Sequence, residues 1–335
     1  LLREKEMMIQ KPWYEKGWWW IKLLIFVVSC WFIYVHINTE IDELDSYFLQ
    51  YQQLLFEVNP FVLGGFIFLA LLNWSIEALK WKWVIKKVQN VSFLRSIRAF
   101  FNGVTVSFFT PNRSGEFAGR ILYLNPENRI RGALLTFLSS SAQLLVTLQL
   151  GLLSLIYFLP DFIEFSHWEI QVFRLVLFLI ALGVTGAWLH LPVVVRWVDK
   201  LKIKSSWKEK MHIWERCSRA DFFVLWCLSL LRYSVFTFQQ LLLFAIIMPA
   251  VSFPLMMGLS ALSFFLITII PSIALGELGV RGGVNIAVFG YAGWMSSDVL
   301  MVTFALWFVN LVIPALLGAC SILFLKFKGT TEIDE

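Results

Sequence analysis

Six stretches of the chain, at roughly 18–37, 58–79, 132–159, 171–190, 221–248 and 299–325, each run for about 20 residues or more with few charges. A helix needs about 20 mostly apolar residues to cross the hydrocarbon layer of a bilayer. Lipid offers no partner to a peptide group, so such stretches must satisfy their backbone internally as helices. The expected class is therefore an all-α polytopic membrane protein. Composition agrees: 15% of residues are charged, against about 25% in a soluble domain, and the mean hydropathy is +0.72. A single membrane domain over 18–325 is expected, with a cytoplasmic segment at 1–17 and a cytoplasmic tail at 326–335. The run WWWIKLLIFVVSCWFIYVHI is too long for a signal-peptide core and no small-residue cleavage site follows it. It reads as an uncleaved first span, with Trp18 to Trp20 at the interface and Lys22 snorkelling back to it.

Two further apolar regions, about 97–126 and 254–296, are each interrupted near the middle by proline, glycine and charge. Their orientation follows from the distribution of Lys and Arg. The loops 38–57 and 160–169 carry acids and no Lys or Arg, whereas 80–98 carries Lys80, Lys82, Lys86, Lys87, Arg95 and Arg98 and no acid. The segment 191–219 is also basic, and Lys326 and Lys328 follow the last span. Basic segments inside and acidic ones outside put both termini in the cytoplasm. Region 97–126 must then enter from the cytoplasm and return to it, and 254–296 must do the same from outside. The expected architecture is six spanning helices plus two oppositely oriented re-entrant helical hairpins, an inverted repeat, in the cell membrane. Non-helical backbone at membrane depth is tolerated only inside the protein or beside a watery cavity, so both hairpin tips belong within the bundle.

The two tips share a layout. The first reads Pro111, Gly115-Glu116, Arg120; the second reads Pro271, Gly276-Glu277, Arg281, with Gly279 between. Proline lacks an N–H and ends the incoming half-helix. Glycine allows the chain to reverse. Glutamate suits the positive start of the outgoing helix, and arginine four residues later shares its face. Broken helices of this kind place binding sites near the midplane of many transporters.

The stretches FFTPNRSGEFAGR (108–120), PSIALGELGVRGG (271–283) and EALKWKWVIKK (77–87) give the chain a resemblance to a known family. It resembles the membrane region of the lysylphosphatidylglycerol synthases, the flippase-like module of the multiple peptide resistance factors and their stand-alone relatives. The family pattern has a Pro-Gly-rich turn with Gly-Glu before a helix and a later P-G-G-x-G-x-R-E-like turn. Here Ser114 and Ala274-Leu275 stand where glycines are expected, and Gly282 follows Arg281 where an acid is common. The resemblance covers essentially the whole chain. No acyltransferase-like segment is encoded after the last span, so the resemblance implies lipid translocation rather than aminoacyl-lipid synthesis.

A lone charge at the bilayer centre costs about 2.5–3.5 kcal/mol on insertion scales, so Glu116, Arg120, Glu277 and Arg281 need a reason to be there. Either each Glu–Arg pair neutralises itself across one turn, or the arginines and half-helix N-termini bind a lipid phosphate. Arg113 either guides headgroups in from the cytoplasm or is a solvated loop charge. Arg232, inside the span 221–248, either meets substrate or pairs with a hairpin glutamate. Asn285 and Asn310 are expected to join helices rather than bind ligand. The substrate-binding candidates are thus Arg113, Glu116, Arg120, Arg232, Glu277 and Arg281, and Pro111, Gly115, Pro271, Gly276 and Gly279 are expected to shape the tips. Cys30, Cys217, Cys227 and Cys320 show no CxxC or metal spacing, and neither do the four histidines. No cofactor is expected. GxxxxGK[ST], GxSxG and HExxH are absent from the sequence.

The function expected is translocation of a polar-headed, phosphate-bearing lipid or lipid-linked precursor between leaflets. The expected partner is a membrane lipid with an anionic or phosphate-containing headgroup. A separate lipid-modifying enzyme and a second copy of the chain remain open as partners. The basic residues show no pattern suited to nucleic acid. Two alternatives stay open: a membrane transferase using Glu116 or Glu277 as base, and a non-catalytic subunit docking an enzyme on the basic face at 191–219.

Overall fold

Asn59 and Pro60 start the first described helix: the Asn59 side chain accepts from the Phe61 amide at 3.0 Å, and proline loses nothing at a helix start. The structure, a computed structural model, describes residues 59–108, 110, 113–162, 166–190, 210–247, 252–270 and 277–323. The expected span at 18–37, most of 191–219, and the tip residues Pro111, Pro271 and Gly276 lie outside the described residues.

Every regular element among the described residues is helical. The α-helices in chain order are α1 Pro60–Ile85, α2 Phe93–Ser107, α3 Gly115–Ile121, α4 Arg129–Phe162, α5 His167–Leu189, α6 Arg219–Ile247, α7 Phe253–Ile269, α8 Glu277–Gly290, α9 Ser296–Trp307 and α10 Ile313–Leu323, with short 3-10 helices at Pro126–Asn128 and His212–Arg216. A π-helical turn, Phe308–Val312, joins α9 to α10. Among the described residues five helices are long and apolar enough to cross a membrane: α1, α4, α5, α6 and the α9–α10 rod. They coincide with five of the six expected spans. The chain is a multi-pass membrane protein.

The correction among them is at the end of α1. The helix runs on to Ile85 rather than stopping at 79, and Lys80 is fully buried instead of lying in a cytoplasmic loop. The helical hydrogen-bond ladder does not depend on hydropathy, and Lys80 has a buried counter-charge (below). Ser218 opens α6 with reciprocal bonds: its amide donates to Asp221 Oδ2 at 2.8 Å and its hydroxyl accepts from the Asp221 amide at 3.3 Å.

The two interrupted regions form pairs of short helices. Helices α2 and α3 have 15 and 7 residues, and α7 and α8 have 17 and 14. At 1.5 Å per residue even the longest reaches ~26 Å, short of the ~30 Å hydrocarbon layer. Within each pair the helices pack on one another. The α2–α3 contact is very close. A Cβ on Gly119 would stand 2.5 Å from the Asn102 carbonyl oxygen, and one on Gly115 would stand 2.6 Å from that of Val106. Small residues let helix backbones approach in this way where lipid supplies no hydrophobic drive.

Four packed clusters hold the described helices, the smallest being Leu152, Leu177 and Phe265, which joins α4, α5 and α7. Trp81, Ile85, Leu135, Leu138, Phe222 and Leu225 join α1, α4 and α6. Phe244, Phe289 and Trp294 pack with centroids 4.4–5.0 Å apart, Phe289 stacked on Trp294 and Phe244 tilted against both, and join α6 to the end of α8. Trp74, Phe100, Trp307 and Leu311 join α1, α2 and the α9–α10 rod. Thr105 on α2 donates to the Ala315 carbonyl of α10 at 2.7 Å. Helix α5 is peripheral and rests on α4 through Gln149–Thr185 and Ser141–Trp188 hydrogen bonds; its Leu175, Phe178, Leu179 and Leu182 face outward.

Candidate functional site

On α1, Asn73, Glu77 and Lys80 fall at helical spacings that put them on one face. That face looks into the bundle, where Glu77 collects three cations. Lys80 Nζ is 3.1 Å from its Oε2, Arg120 Nη2 is 2.9 Å from its Oε1, and Arg232 Nη1 is 3.1 Å from its Oε2. Arg120 also reaches Glu116 one turn back on α3. Lys80 Nζ donates to Gln143 Oε1 at 3.3 Å, and Arg232 Nε donates to Asn73 Oδ1 at 3.0 Å. Arg120 is wholly buried, with its chain against Gly103 and its guanidinium 5.8 Å from the centre of the Phe100 ring. Among the described residues its Nε and Nη1 have no hydrogen-bond partner.

A second cluster forms where the first break meets the second. Arg113, just before α3, grips Glu277 at the start of α8 with Nη2 at 2.6 Å and Nε at 3.2 Å. Arg281, one turn along α8, donates to Glu277 Oε1 from Nε at 2.9 Å and Nη2 at 2.7 Å. Arg113 has φ of 56°, the one described non-glycine residue in the left-handed region, which is costly for a side chain with a Cβ. Its two-point contact with Glu277 accompanies that backbone.

A cavity of about 370 Å³ opens between the clusters. Its charged lining is Glu77, Lys80, Arg113, Glu116, Arg232 and Arg281, and Asn73, Gln143, Gln240, Asn285 and Asn310 add amides. Phe100, Tyr233, Phe264 and Trp307 supply apolar wall. Counting both clusters, five cations (Lys80, Arg113, Arg120, Arg232, Arg281) face three carboxylates (Glu77, Glu116, Glu277), an excess of two positive charges. Such a site attracts anions, and guanidinium groups suit phosphate oxygens.

All six candidate binding residues therefore belong to one locality, but with unequal access. Glu116, Arg113, Arg232 and Arg281 line the cavity, whereas Arg120 and Glu277 are not among its lining and act through their partners. The Glu–Arg pairs do meet across one turn, yet neither is closed on itself: Glu77 joins the first and Arg113 the second. Arg232 pairs with Glu77 of α1 rather than with a glutamate of the α2–α3 or α7–α8 pairs. Arg113 is an ion-paired residue rather than a bare loop charge. Gly115 fits its tight expected place. Gly279 lies inside α8, where an added Cβ would meet nothing within 4 Å, so no close approach requires it. Asn285 bonds Thr303 across α8–α9 at 2.7 Å, and Asn310 bonds Gln239 at 2.8 Å and Asn73 at 2.9 Å. The π turn presents Asn310 to those two partners. Glu77, Lys80, Asn73 and Gln143 were not among the expected site residues. The i,i+3 pairing of Glu77 with Lys80 at the edge of an apolar run was the available signal.

Among the described residues no group of three His, Cys, Asp or Glu side chains is placed to hold a metal. Away from the cavity, Cys217 precedes α6; burial, and then the Asp221 carboxylate, push its thiol up to about 11.

The family described as Lysylphosphatidylglycerol synthase TM region matches residues 19–318. No match was found among curated proteins or among solved structures.

Proposed function

The chain belongs to the lysylphosphatidylglycerol synthase TM-region family, and from that premise we propose that it carries a polar-headed, phosphate-bearing lipid between the two leaflets of the cell membrane. The observation that supports this most is the cavity bordered by both broken-helix motifs and carrying an excess of cations. On this reading 97–126 and 254–296 are re-entrant hairpins entering from opposite faces. With 18–37 as a further span, the chain has six spans and cytoplasmic termini. The Lys/Arg asymmetry and the shortness of α2, α3, α7 and α8 support that arrangement.

The lipid phosphate binds Arg232 and Arg281. Both already hold a carboxylate, so the incoming anion exchanges with Glu77 and Glu277 instead of meeting bare buried charge. That exchange limits the desolvation penalty at each stage. Arg120 and Lys80 hold Glu77 in place while Arg232 changes partner. Opening on either side alternates about the Arg113–Glu277 contact, where the two helix pairs touch. No ATP-binding loop is encoded, so movement follows the lipid gradient or a coupled ion.

The test is exchange of a fluorescent lipid between leaflets of proteoliposomes. Replacing both Arg232 and Arg281 by alanine is expected to slow exchange by about tenfold or more, since each removes a charge-assisted bond to phosphate. Exchange unaltered in that variant would falsify the headgroup role of the cavity.

A further inference from the structure

The cavity is closed along one part of its wall and open along another. Lys80 of α1, Phe100 and Ser107 of α2, and Thr303 and Trp307 of α9 line it and are all buried. Leu144 of α4 lines the same cavity and is 45% exposed, and Thr268 of α7 lines it and is exposed as well. Phe264 and Ile267 of α7, also in the lining, are half-buried.

These four residues stand where the seam between α4 and α7 runs out. Along that seam the two helices touch closely. A Cβ on Gly151 would lie 2.2 Å from that of Phe265, and Ser154 donates to the Gly258 carbonyl at 2.6 Å. Thr268 is the next-to-last residue of α7, whereas α4 extends through Leu144 to Arg129. Leu144 is at the middle of α4, a helix long and apolar enough to cross a membrane. The opening is therefore at the depth of the hydrocarbon, not at the membrane surface. Its polar groups are satisfied locally. The Thr268 hydroxyl donates to the Phe264 carbonyl at 2.7 Å, the Thr147 hydroxyl donates to the Gln143 carbonyl at 3.0 Å, and the Gln143 side chain accepts from Lys80 at 3.3 Å. What the rim offers is methyl, methylene and ring surface, which can meet hydrocarbon without leaving a polar group unpaired.

We infer that the cavity opens sideways into the bilayer at this rim, and that the acyl chains of the bound lipid lie across Leu144, Phe264, Ile267 and Thr268 while its head is inside. The inference rests on the lipid reading of the cavity and adds where the tails go. The rim is continuous with the charged lining, so an amphiphile can span both without its chains entering the polar interior.

Photolabelling of the full chain in maltoside micelles, which bring no phosphate of their own, tests this. The probes are phosphatidic acid and diacylglycerol, each with a diazirine in one acyl chain, and labelled positions are read by peptide mass spectrometry. Phosphatidic acid is expected to label Leu144 and the Phe264–Thr268 stretch about tenfold or more above diacylglycerol, the worth of a charge-assisted hydrogen bond. Phe178 and Leu182, on the outward face of α5, are expected to label equally with both. Thr268→Trp, alone and with Leu144→Trp, is expected to remove the enrichment by filling the opening. Binding of glycerol phosphate, which has no chains, is expected to be unchanged in both variants and so shows that they are folded. Rim labelling that is equal for the two lipids overturns the proposal, as does an enrichment that survives both variants. If glycerol phosphate binds and the rim shows no enrichment, the sideways opening fails while the phosphate reading of the cavity stands. If the enrichment is found and proteoliposomes show no exchange, translocation fails and the opening stands.

Discussion

Glu77 is 3% exposed and faces Lys80, Arg120 and Arg232 at once. Breaking a buried pair costs more than the pair contributes, because the remaining charge loses its compensation. Glu77→Gln is therefore expected to destabilise the protein by about 3–5 kcal/mol, the range for an orphaned buried ion. The measurement is the melting temperature in detergent, and an unshifted value would show that the three cations do not depend on Glu77. Cys217 makes a different residue-scale prediction. Its thiol is raised from 9.0 to about 11, so the fold favours the neutral form. That preference is intact below about pH 9 and is lost as pH rises toward 11, where the unfolded chain has already released its proton. Alkylation at pH 8.5 is expected to run more than about tenfold slower in the folded protein than in the unfolded chain, because thiolate is the reactive form. Equal rates would remove the burial argument. The motif charges were legible in the sequence because a proline, a glycine and a charge stand out against an apolar background. Glu77 was not, because the lysines that follow it read as a loop. A linear sequence does not say that Lys80 turns inward to Glu77.

At the scale of the helix pairs, the glycines separate cleanly into those the packing needs and those it does not. A methyl group on Gly119 would be forced against the Asn102 carbonyl, whereas one on Gly279 would meet open space. Gly119→Ala is expected to cost about 1–3 kcal/mol by overpacking, while Gly279→Ala is expected to stabilise by up to about 1 kcal/mol through helix propensity. Thermal denaturation of the two variants side by side checks both signs; a harmless Gly119→Ala would mean that α2 and α3 separate readily. The five expected spans that the structure describes begin within four residues of their observed starts. Length and hydropathy suffice where a helix starts and stops with its apolar content. They fail at the end of α1, whose last two turns carry Lys80 and Lys82 inside the helix, with Lys86 just beyond it and its ammonium 3.2 Å from the centre of the Trp83 ring. The π turn at Phe308–Val312 had one mark in the sequence, Pro314 just beyond it, which lacks the N–H that would bond the Asn310 carbonyl four residues back.

For the whole molecule, the contact that matters most is Arg113 with Glu277, since residues 164 apart in sequence join the two broken-helix pairs there. Arg113→Glu and Glu277→Arg are each expected to slow lipid exchange and lower the melting temperature, and the exchanged pair together to recover most of both. A double-mutant cycle on stability should give a coupling of about 0.5–3 kcal/mol, as for other residues in direct contact. Strict additivity would show that the two pairs do not communicate through this contact. The meeting of the two motifs was anticipated from their shared layout, but the partner exchange was not: the second motif's acid, Glu277, lies against Arg113 of the first, and the first motif's Arg120 reaches Glu77 of α1. The α9–α10 rod carries a related long-range constraint. Upstream of its wide turn Thr303 takes the Asn285 side chain; downstream, the Ala315 carbonyl takes Thr105 and Ser321 meets Tyr123 at 3.2 Å. An α-helix advances by about 100° per residue, so removing one residue between 308 and 312 would spin every later position out of phase. Hydropathy and span length would hardly change, yet the seam with α2 would be facing the wrong way.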